Sequence, residues 1–280
     1  MPTRAHLILF WTGAFFAGWV ALFSYVAHLM GQNPGLPFEA PPLHLRTIAS
    51  LYAGGMVMML LSARATTLSA SRISVVVAGL FTGFLMLVSI LHLGMFDFAV
   101  PKPDGPLWGI SWLPLPFQVS WFWFALYGLC PVVVAILIRR HWHAAQGARH
   151  DPLPIVLRAV LASLGLCGGT FALTLLVTPQ IGELLWPWPI STFLAQIYAG
   201  PFLAFAVAAV MMAMAKDRAD TRIPAAGLAV FAALAVAASL WHIAILQPIG
   251  PAQITWLGFL ALLFGTATAT WHNTYQKAIK

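Results

Sequence analysis

The chain has 280 residues, 61% of them hydrophobic and only 8% charged, with a mean hydropathy of +0.87. This composition lies far outside that of soluble globular domains and defines an all-α polytopic membrane protein, a single integral membrane domain over residues 1–280. The formal net charge of +7 points to nucleic acid or an anionic substrate only if the cations cluster, and they do not.

Eight apolar stretches follow one another at 7–29, 45–63, 73–96, 117–138, 155–177, 190–215, 223–246 and 252–272. Each is long enough to cross a hydrocarbon core at a rise of about 1.5 Å per residue. The first runs from Arg4 and His6 through Trp11 and Trp19 to Tyr25. It is longer than a signal-peptide core and lacks a small-x-small cleavage signal after it, so it reads as a true first helix. The helices use most of the chain and leave no room for a soluble domain.

Twelve of the fourteen Lys and Arg lie at the termini, in the links between spans 2 and 3, 4 and 5, and 6 and 7, or, for Arg158, just inside span 5 beside such a link; Arg46 and Lys102 are the exceptions. By the positive-inside rule both termini are cytoplasmic and hairpins 1–2, 3–4, 5–6 and 7–8 face outward. The basic charge therefore sets topology, and no nucleic-acid partner is expected. The link "RRHWHAAQGARHDPLP" (139–154) reads as a solvated charge run on the inner surface, near lipid headgroups.

The spans pair as antiparallel hairpins, with loose helix-hairpin repeats at 7–63, 73–138, 155–215 and 223–272. The outward hairpins join through Pro and Gly and carry eight of the twelve tryptophans, among them Trp108, Trp112, Trp121, Trp186, Trp188 and Trp256. An interfacial aromatic belt accounts for most of these. Small residues in "GLCGG" (165–169) and "AGLAVFAALAVAAS" (226–239) allow close helix contact. Cys130 and Cys167 fall inside spans and read as buried thiols, with no spacing that suits zinc, haem or an iron–sulfur cluster.

Ionisable groups avoid the middle of the spans, which argues against an ion-coupled transporter. They gather at the outward ends instead: His28, His44, His92 with Asp97 following, Glu183 and His242. No His-x-x-x-His, Cys pair or Glu-x-x-His is present, so no metal ligands are expected, nor any haem or nucleotide of the chain's own. His28, His44 and His242 read as interfacial residues hydrogen-bonded to loops. His92 stands in the most apolar surroundings near a surface, where an imidazole can exchange protons with water and still reach a hydrophobic ligand. That is what redox chemistry on a quinone requires. Asp97, five positions on, is the candidate proton relay, and Trp108, Trp112 and Trp121 are candidate packing surfaces for the ring or tail.

The stretch "LVSILHLGMFDFAV" (87–100), followed by "GISWL" (109–113), resembles the membrane anchor subunit of dimethyl sulfoxide reductase-type complexes, within the polysulfide/nitrite-reductase membrane-subunit group. "LYAGGMVMMLL" (51–61) and "LLWPWPISTFLAQIYAGPFLAF" (184–205) are similar to helices of the same group. The resemblance implies a subunit of the bacterial cytoplasmic (inner) membrane that binds menaquinone or ubiquinone, exchanges electrons with an iron–sulfur subunit and so serves a molybdenum-containing catalytic subunit. The group's quinol-associated histidine falls on His92. Its acidic residue after the "SWL" segment has no counterpart, because Pro114 and Pro116 stand in "SWLPLPFQ". From the residues alone, three alternatives stay open: a carrier or channel for a small solute, a structural, assembly or lipid-binding protein, and a self-contained membrane enzyme.

Overall fold

The computed structural model describes residues 2–30, 36–96, 98, 119–142 and 151–278. Among them the fold is all-α. Eight long apolar helices are present: α1 (Arg4–Met30), α2 (Pro42–Ala63), α3 (Leu68–Leu91), α4 (Val119–His141), α5 (Ile155–Val177), α7 (Thr192–Met214), α8 (Arg222–Trp241) and α9 (Pro251–Ala278). The short α6 (Pro179–Leu185), which hydropathy does not reveal, lies between α5 and α7. Local chemistry marks several helix starts. Pro42 opens α2 where its missing N–H costs nothing, Thr67 accepts from the Ala70 amide, and Ser191 accepts from the Leu194 amide.

The helices form two related halves, α1–α4 and α5–α9, that exchange their inner helices. Within each half the outer helix packs on an inner one, α1 on α2 and α5 on α7, and the last two pair, α3 with α4 and α8 with α9. Across the halves α2 packs on α8 and α3 on α7. The four inner helices are the most buried, and the outer four keep a broad face for lipid.

One register relates the halves from Phe38–Phe96 to Trp188–Leu246, an offset of 150 residues. Arg72-Ile73, Phe81, Ser89 and His92 recur as Arg222-Ile223, Phe231, Ser239 and His242. The recurrence is physical as well as sequential. Ser89 and Ser239 each accept an indole N–H from the next helix, from Trp123 at 2.9 Å and Trp256 at 3.0 Å. Arg72 and Arg222 each lie over an indole, those of Trp142 at 5.1 Å and Trp271 at 4.7 Å. His92 and His242 each end a helix before a 3-10 turn, Leu93–Met95 and Ile243–Leu246. The repeat thus relates hairpin 7–63 to 155–215 and hairpin 73–138 to 223–272.

The α2–α8 crossing needs two glycines. A Cβ added at Gly54 would lie 2.7 Å from the Gly227 carbonyl oxygen, and one added at Gly227 would lie 2.7 Å from that of Gly54. Such close backbone approach maximises dispersion contact where lipid tails remove any hydrophobic drive between helices. Gly227→Val is therefore expected to lower stability by about 1–3 kcal/mol through overpacking, measured as thermal unfolding in detergent. Gly55→Ala, whose Cβ meets open space, is expected to leave the midpoint in place; equal shifts in both variants would contradict the crossing.

Candidate functional site

Among the described side chains, His44, His92 and His242 do not meet in one pocket; each binds a different partner in the other half. His92, capping α3, donates from Nε2 to Gln196 Oε1 on α7 at 2.5 Å, and the Gln196 amide donates to the Leu176 carbonyl at 2.8 Å. The Phe193 ring packs against the His92 ring at 5.2 Å. At the related place His242 bonds the Arg46 guanidinium, which also lies 4.6 Å over Trp241 and 5.7 Å over Tyr25. Arg46 and Gln196 are themselves 150 positions apart, so one tie is built twice with different chemistry. His44 donates from Nε2 to the Pro189 carbonyl at 3.0 Å, and the Tyr198 hydroxyl lies 3.2 Å from its Nδ1. In the 5–6 hairpin Glu183 accepts from Thr192 at 2.8 Å.

Among the other candidates, Asp97, Trp108 and Trp112 lie outside the described residues. Trp121 is exposed on α4 and meets Phe98 edge-on at 5.0 Å. Cys167 is exposed on the outer face of α5 rather than buried, because α5 turns only one face to α7. No group of three His, Cys, Asp or Glu assembles among the described residues.

A large cavity lies elsewhere, among the described residues of the first half. It has a volume of about 430 Å³ and is walled by α1, α2, α3 and α4. Most of its lining is aliphatic or aromatic, including Leu9, Phe16, Phe81, Phe122 and Leu126. Its polar side chains are few. The Tyr52 and Tyr127 hydroxyls bond to each other across the space between α2 and α4. Thr82 donates to the Ala78 carbonyl at 2.7 Å, and Cys130 stands close by on α4. The Trp123 ring stacks on Tyr127 at 4.1 Å. His92 is not among the lining residues, but a run of ring contacts leads from it to the cavity wall: His92 meets Phe193, Phe193 meets Phe38, and Phe38 meets Trp123.

The second half provides a control within the same molecule. Under the 150-residue register Tyr52, Gly55, Ala78 and Thr82 become Phe202, Phe205, Leu228 and Ala232. The paired indoles Trp123 and Trp256 align α4 with α9, so that Tyr127 and Cys130 become Leu260 and Leu263. At this place only about 20 Å³ is left, among Phe202, Phe205, Leu228, Phe231, Phe259 and Leu263. Two small residues that leave space are thus replaced by larger ones, and four polar groups that face it by apolar ones. Sequence reasoning missed the site because Gly55 and Tyr127 acquire meaning only beside Phe205 and Leu260.

Comparison with protein-family models, curated proteins and solved structures found no match. The site and the repeat therefore carry the functional argument.

The two ties also differ in what breaking them does. His92→Leu removes a hydrogen bond to a side-chain amide, at a cost of about 0.5–1.5 kcal/mol, whereas His242→Leu takes an acceptor from a buried guanidinium, at about 1.5–3 kcal/mol. Thermal unfolding in detergent is expected to show the larger loss for His242→Leu; the reverse order would contradict the assigned partners.

Proposed function

We propose that the protein is a quinone-interacting membrane anchor subunit of a respiratory oxidoreductase complex, and that the cavity of its first half receives the quinone. The observation that supports this most is the coincidence of space and polarity. Among the described residues, hydroxyl and thiol groups line the open space of the first half whereas its counterpart in the second half is lined by apolar residues, and a volume of about 430 Å³ falls within the range of small-molecule sites. A quinone asks for such walls, since its ring and tail are apolar and its two oxygens need hydrogen-bond partners.

The residues present fit the group. Gly55 and Ala78 leave the room, Trp123 and Phe81 offer ring faces, and the Tyr52–Tyr127 pair offers the polar contact. Bound there, a quinone supplies two-electron redox chemistry; the chain's own residues bind it, orient it and exclude water. The phenols are uncharged, which spares the membrane interior the cost of a buried ion.

The electron partners, an iron–sulfur subunit and a molybdenum-containing subunit, are proposed from the resemblance of 87–113 and 184–205, as is placement in a bacterial inner membrane with the Arg-rich side toward the cytoplasm. The resemblance gives His92, at the end of α3, the quinol-associated part, and the residues themselves suggest Asp97, outside the described residues, as a proton relay. On this reading His92→Ala lowers quinol turnover by roughly tenfold to a thousandfold, the usual worth of acid–base catalysis, with the quinone still bound. Unchanged turnover would leave His92 as an interhelical tie alone.

The direct test copies the second half into the first. Wild-type protein purified gently from its native membrane is expected to yield about one quinone per chain on solvent extraction and mass spectrometry, together with an iron–sulfur subunit. The Gly55→Phe/Ala78→Leu variant is expected to stay folded and lose the quinone. Its retention in that variant, or its absence from wild type, would remove the assignment.

A further inference from the structure

The cavity's polar groups and its weakest wall lie on opposite sides. Tyr52, Thr82, Tyr127 and Cys130 come from α2, α3 and α4, while α1 adds mainly apolar surface such as Leu9, Ala17 and Val20. The walls also differ in strength. α1 packs along α2, and α4 along α3, but α1 and α4 barely touch. Ring contacts cross their seam, among them Phe16 against Phe122 at 4.5 Å and His6 against His141 at 5.1 Å.

We propose that the ligand enters sideways from the bilayer through the α1–α4 seam, lays an oxygen of its ring on the Tyr52–Tyr127 pair, and leaves its tail in the seam. This rests on the reading that the cavity binds a quinone-type lipophile, and it adds the door and the pose. The helix geometry permits it. From Val119 to Cys130 the lining runs along α4 for about 16 Å, enough for a ring and the start of a chain. A tail left in the seam keeps its apolar surface among Phe16, Phe122 and lipid, so no part of the molecule need cross the polar hairpin side.

Hydrogen-bond accounting defines the ligand class. Two phenols that share one bond retain one unused O–H and several oxygen lone pairs. Thr82 has already given its proton to the Ala78 carbonyl. The pair can therefore donate to the carbonyl of a quinone or, by rotating a hydroxyl, accept from the O–H of a quinol, with no change in charge. A plain hydrocarbon of the same shape satisfies neither. The second half, with Phe202 and Leu260 at these positions, lacks both phenols.

The experiment uses the full chain in lipid nanodiscs and a decyl-tailed benzoquinone as probe, read by quenching of tryptophan fluorescence, since Trp19 and Trp123 line the cavity. Tyr52→Phe/Tyr127→Phe is expected to weaken binding by about threefold to tenfold, the worth of one hydrogen bond. For the door, Phe16→Cys/Phe122→Cys in a background of Cys130→Ala and Cys167→Ala is joined by a short bismaleimide. The joined protein is expected to exchange the probe at least about tenfold more slowly than the same protein left open. An unchanged affinity in the double phenylalanine variant would overturn the pose, and an unchanged exchange rate after joining would overturn the door. Binding that survives Gly55→Phe/Ala78→Leu would instead overturn the site itself, so the failures are distinguishable.

Discussion

Everything in this molecule hangs on the reciprocal crossing of its inner helices, α2 on α8 and α3 on α7. In a bilayer there is no hydrophobic gain in bringing two apolar helices together, so the crossing must come from close packing and from polar ties that lipid cannot offer. Gly54 and Gly227 bring two backbones into contact at one crossing, and Gly200 brings α7 to within 3.0 Å of Phe84 Cβ, measured from an added Cβ, at the other. The histidine ties then close the hairpin side of each: Arg46 with His242, and Gln196 with His92. The outer helices lean on this frame and touch each other little, which is why the first half can hold a cavity without losing its fold.

The two halves share a frame and differ in filling. Where the second half places Phe205, Leu228, Leu260 and Leu263, the first has Gly55, Ala78, Tyr127 and Cys130. Such a change runs against stability on two counts, since it gives up packing and buries polar atoms. A structure that only needed to stand in the membrane would have no use for it. The difference makes physical sense if another molecule completes the packing and meets the phenols.

How much of this was legible in the chain follows from range. The eight spans were, because length and hydropathy are local, and all eight long helices fall on the expected stretches. The short α6 was not, since seven residues with one Glu carry no hydropathy signal. The tie from His92 to Gln196 joins residues 104 positions apart, and nothing near either one announces the other. The repeat was present as Arg-Ile, Phe, Ser and His at matching spacings in 72–92 and 222–242, but a search at the scale of single hairpins runs past a unit of two. The cavity was the least legible, because it is defined by the absence of bulk at Gly55 and Ala78. Asp97, Trp108 and Trp112 lie outside the described residues, and their part is read from the sequence alone.

The most direct measurement is a cryo-electron microscopy map of the protein isolated with its native lipids, read at the two related places. The account predicts density for a flat ring beside Tyr52 and Tyr127 in the first half, continuing as a tail into the α1–α4 seam, and side chains alone between Phe205 and Leu263. An empty or collapsed first-half cavity, or equivalent ligand density in both halves, would contradict it.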